Sequence, residues 1–106
     1  MSDVKDFLKT MEDNVKAVED KAEMLTANAR LLQNGGATIN QIPGDQKAID
    51  EQNVELEKRS NDYYSQIDST MRTPDKCSSG QILQMHILQA RLLKAVPRTK
   101  ANVEQQ

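Results

Sequence analysis

Residues 2–34 read SDVKDFLKTMEDNVKAVEDKAEMLTANARLLQN, and their spacing decides the fold. The apolar positions are Val4, Leu8, Met11, Val15, Val18, Ala22, Leu25, Ala29 and Leu32, with intervals that alternate between four and three. That 3.5-residue period keeps one edge of a helix turned toward a partner along its whole length. Acidic residues crowd the first turns, where the helix dipole favours them, and Ser2 or Asp3 is placed to cap the start. Glu12 and Lys16 form an i,i+4 pair in the favourable order. Asn34-Gly35-Gly36 supplies the stop. Ala22 and Ala29 make the far half of the seam thin, which suits coverage by more than one other helix. A stripe in a bundle core and a seam of a long oligomeric coiled coil both fit this pattern.

Outward from this rod, residues 34–44 (NGGATINQIPG) carry no charge and form a connection of Gly, Pro, Asn and Thr. Ile39 and Ile42 are its large apolar groups, suited to tuck over the end of a hairpin. The glycines lack the phosphate-cradling spacing G-x-x-x-x-G-K-[ST]. A second helix is expected over about 45–72, with Ile49, Leu56, Tyr63, Ile67 and Met71 as its stripe and Asn53 and Ser60 at the intervening seam positions. A buried Asn53 would set register rather than add stability. Glu55–Arg59 is a favourable pair and Glu51–Glu55 a repulsive one. Tyr63 and Tyr64 stand about 100° apart around the helix, so one is expected to pack and the other to project. The two rods are nearly equal in length, and an antiparallel hairpin buries both stripes.

Thr73-Pro74 ends the second helix, because the residue before proline avoids the helical region. Residues 73–78 are a linker, and charge changes sign near it: −6 over residues 1–71 and +4 over 72–106. Beyond it, Ser78 and Gln81 fit a capping box. From Ile82 to Val96, 10 of 15 residues are apolar, among them Ile82, Leu83, Met85, Ile87, Leu88, Leu92, Leu93 and Val96. Gln84, Arg91 and Lys94 make a narrow polar strip. A helix apolar around most of its circumference must be covered. Its cover is the hairpin, another subunit, or a membrane surface attracted by Arg91, Lys94, Arg98 and Lys100. Pro97 ends it, and residues 98–106 read as a polar tail.

The run Thr73 to His86, TPDKCSSGQILQMH, resembles the start of the terminal helix in bacterial type III secretion inner-rod subunits. There a turn with proline and an acid precedes two aliphatics, two variable residues and a glutamine. Ile82, Leu83, Gln84 and Met85 match, whereas His86 stands where the family has glutamine and Pro97 interrupts a helix that in the family continues. The likeness covers about a quarter of the chain and implies a secreted, self-assembling helical subunit with contacts through residues 82–96.

Composition narrows the function. The chain has 106 residues, 37% hydrophobic and 3% aromatic, with net charge −2. No apolar run approaches the roughly 18–20 residues of a transmembrane span, and residues 2–14 do not read as a secretory leader. Cys77 is the lone cysteine and His86 the lone histidine, so neither a disulfide framework nor a one-chain zinc site is expected. The carboxylates fall on solvated faces, and a thin bundle leaves little room for a cavity of about 300 Å³. A pI near 5.4 and few aromatics argue against nucleic-acid binding.

The expectation is an all-α protein, a long antiparallel coiled-coil-like hairpin (helices about 3–33 and 45–72) plus a short C-terminal helix at 79–96. No catalytic, cofactor or metal residue is expected, and the setting is cytoplasmic. Function is assembly or docking on a protein partner or a second copy. The contacts fall on Leu8, Met11, Val15, Val18, Leu25 and Leu32 in the seam and on the eight named apolar residues of the last helix. A secretion subunit or chaperone, and a peripheral membrane binder, are the alternatives.

Overall fold

A computed structural model describes residues 2–34, 46–73 and 77–96. Three helices account for 92% of these residues, with no strand among them. They are α1 (Ser2–Gln33), α2 (Gln46–Met71) and α3 (Ser79–Ala95). The side chains of Ser2 and Asp3, the connection with Ile39 and Ile42, Pro74 and the tail from Pro97 all lie outside the described residues.

Each helix packs against both others. Arg91 near the end of α3 reaches Glu12 and Glu19 of α1, and Gln81 and Gln84 near its start line a groove with Lys5 and Leu8. α3 therefore runs parallel to α1. α2 runs back alongside both, making an up-down-up bundle of 53 × 30 × 15 Å. Its long dimension is set by α1, whose 32 residues span about 48 Å at 1.5 Å each.

The 3.5-residue stripe of α1 is the spine of the core. Val4, Leu8, Met11, Val15, Val18 and Leu25 are buried, and Ala22, Ala29 and Leu32 pack partly buried against them. The far end departs from the expected register, since Asn28 is completely buried while its neighbour Ala29 is only partly so. A heptad repeat on a straight helix drifts by about 20° per repeat. That drift alone would bring the line of Lys5, Glu12, Glu19 and Thr26 inward; the burial of Asn28, on the line of Phe7, Asn14 and Lys21, means that the covered face turns the other way toward the end of α1.

α2 contributes Ile49, Leu56, Ser60 and Ile67 as its buried positions. Asn53 is exposed, contrary to expectation, and Gln52 occupies the half-buried place beside Leu56. Intervals of three then four from Ile49, rather than four then three, bring Gln52 inward and turn Asn53 to water. Both tyrosines are half-buried and pack on the core, so neither projects freely. A helix packed against two neighbours is covered over a wide arc, enough for adjacent residues about 100° apart. Arg72 N–H donates to Ser69 O at 3.3 Å and Thr73 N–H to Thr70 O at 3.2 Å, tightening the last turn of α2 to i→i+3 spacing. Cys77 is half-buried, with its Sγ 3.9 Å from Thr70 O.

Candidate functional site: the two faces of helix α3

The start of α3 is fixed by its cap. Gln81 N–H donates to Ser78 Oγ at 3.2 Å, and Ser78 N–H donates to Gln81 Oε1 at 2.8 Å, a reciprocal pair that satisfies two backbone donors. Gly80 has open space around its α-carbon, the nearest atom to an added Cβ being Ser78 Oγ at 4.0 Å.

From this start the helix divides by its 3.6-residue period. Met85, Leu88 and Leu92 are completely buried between α1 and α2. Gln89 shares their face, buried to 6% exposure, and its Nε2 donates to Tyr64 O of α2 at 3.2 Å. A buried amide is tolerated where it is hydrogen-bonded. Ile82 is half-buried, and Val96 packs partly buried on the core.

Arg91, expected in a solvated strip, is instead clamped to α1. Its Nε and Nη2 donate to Glu19 Oε2 and Oε1 at 3.1 and 2.6 Å, and its Nη1 donates to Glu12 Oε1 at 2.7 Å. Glu12, expected to pair with Lys16, is thus engaged across helices. The planar guanidinium matches a carboxylate with two parallel bonds. Its hydrogen bonds hold the Glu19 carboxyl below its ordinary range, with partial burial opposing them. Donating to the Glu19 and Glu12 carboxylates in turn raises the Arg91 guanidinium further above its ordinary value. Arg91 gives α3 a fixed rotation on α1, and that rotation determines which apolar residues face out.

Those residues are Leu83, 61% exposed, Ile87, 49%, and Leu93, 39%. Ala90 and Lys94 continue the line of Leu83 and Ile87, with His86 and Leu93 together on one flank, all exposed. Leu83, Ile87, Ala90 and Lys94 follow i, i+4, i+7, i+11, a ridge diametrically opposite the buried face. Of the expected contact residues, the structure takes Leu8, Met11, Val15, Val18, Leu25, Met85, Leu88 and Leu92 into its own core, with Leu32, Ile82 and Val96 half-buried at the margin. The seam is covered by α2 and α3 of the same chain. Leu83, Ile87 and Leu93 are what remains available.

The surface also has more relief than a thin bundle leads one to expect. An open groove of about 540 Å³ lies between α1 and α3 beside Glu19, Arg30, Arg91 and Lys94, and another of about 310 Å³ lies near Lys5, Glu12 and Gln84. These are furrows between helices, and the Arg91 clamp falls between them. Among the described residues no group of three or more His, Cys, Asp or Glu is placed to hold a metal ion, and no helix is long and apolar enough to cross a membrane.

Sequence reading had missed the partners of Arg91. The available signal was Glu12 and Glu19, seven residues apart on the edge of the seam, facing the single Arg of an apolar helix. Comparison with known proteins brings no match from a family model, a curated protein or a solved structure.

Proposed function

We propose that this chain is a non-enzymatic interaction protein that docks a protein partner through the outer ridge of α3. The single observation that carries this is the exposure of Leu83, Ile87 and Leu93 on a helix whose opposite face is already satisfied by the core. Isolated surface leucines are common, but Leu83 and Ile87 lie one turn apart on one line of the helix, with Leu93 on its flank, and grouped exposed apolar residues mark interaction surfaces. Rigidity supports the same reading. The ridge is held by a capping box, a buried hydrophobic face and an Arg fork, so little ordering entropy is lost on docking. A helix face offering apolar anchors at i, i+4 and i+7 is a recurring recognition mode. The single, half-buried thiol of Cys77 is compatible with a reducing compartment such as the cytoplasm.

Site-specific photocrosslinking in living cells tests this. A photoreactive residue at position 87 is expected to give an adduct that disappears when Leu83→Glu is added. The same probe at Ala17, on the exposed side of α1, is expected to give none. Equal labelling at both positions, or an adduct at 87 indifferent to Leu83→Glu, would overturn the proposal.

A further inference from the structure

We draw no further inference here: the strongest candidate, the outer ridge of α3 at Leu83 and Ile87, belongs to the docking surface already described, and nothing in the structure shows what covers it.

Discussion

Arg91 on α3 grips Glu19 on α1 with two hydrogen bonds, of 3.1 and 2.6 Å, across 72 residues of sequence. A third, to Glu12 at 2.7 Å, makes the guanidinium a staple along one edge of the bundle. Every charged group in the staple is partly exposed, the side chains of Arg91, Glu12 and Glu19 retaining 29%, 46% and 34% of their accessible surface. Solvent screening discounts such pairs, while the two-pronged geometry restores part of their worth. Replacing Arg91 by Ala should cost about 1–2 kcal/mol. In a domain of this size that lowers the melting temperature by roughly 4–15 °C. Arg91→Lys should recover less than half of the loss, because an ammonium cannot form the parallel pair. Calorimetry on the three proteins measures this, and equal melting of all three would show that the staple contributes nothing.

Acid should weaken the same staple. The folded state holds Glu19 below its ordinary value of 4.5. A carboxyl whose folded value is depressed contributes stability above its unfolded value, and that contribution is lost as pH falls through the folded one. Stability from this source is therefore complete at neutral pH and declines below about pH 4.5. Urea midpoints measured against pH should fall in that range, and Glu19→Gln should flatten the fall. A wild-type profile that rises between pH 5 and 3 would contradict the assignment.

How far these features could be read from sequence depends on how strongly the local pattern constrains them. The stripe from Val4 to Leu25 is legible because alternating intervals of four and three leave one face consistently apolar, and burial follows it residue by residue. Asn28 is not legible, because a strict heptad count keeps Ala29 at the seam, while the covered face at the end of α1 turns to the line of Phe7, Asn14, Lys21 and Asn28. On α2 the large apolar residues stand seven apart, too sparse to choose between Gln52 and Asn53 as the inward position. α3 poses the opposite problem. With apolar residues on nearly every side, periodicity alone cannot say which will be covered. Its orientation comes from Arg91 and from Gln89, whose partners Glu12, Glu19 and Tyr64 lie on other helices, and pairings of that range leave no local trace.

The capping box makes a smaller claim that is easier to isolate. Ser78 Oγ accepts from Gln81 N–H, and the Gln81 side chain accepts from Ser78 N–H. Ser78→Ala removes one of the two and should cost about 0.5–2 kcal/mol. Ser78→Asp, which keeps an acceptor and places an anion at the positive end of the helix, should hold stability near wild type. Hydrogen exchange at the amides of the first turn of α3 should accelerate in the alanine variant and not in the aspartate one.

The sharpest test of the division of α3 sets two adjacent residues against each other. Leu88 is completely buried and Ile87 is 49% exposed, although both are large aliphatics in the same helix turn. Leu88→Ala removes methyl groups from a packed interior and leaves a cavity, which should cost about 2–5 kcal/mol. That is a large fraction of the stability of a domain this small. Ile87→Ala trades a half-exposed side chain for a better helix former, so its net effect should stay within about 1 kcal/mol of wild type. Chemical denaturation of the two variants separates the faces directly. Were Ile87→Ala to cost as much as Leu88→Ala, α3 would be rotated from the position Arg91 assigns it, and the line of Leu83 and Ile87 would belong to the core.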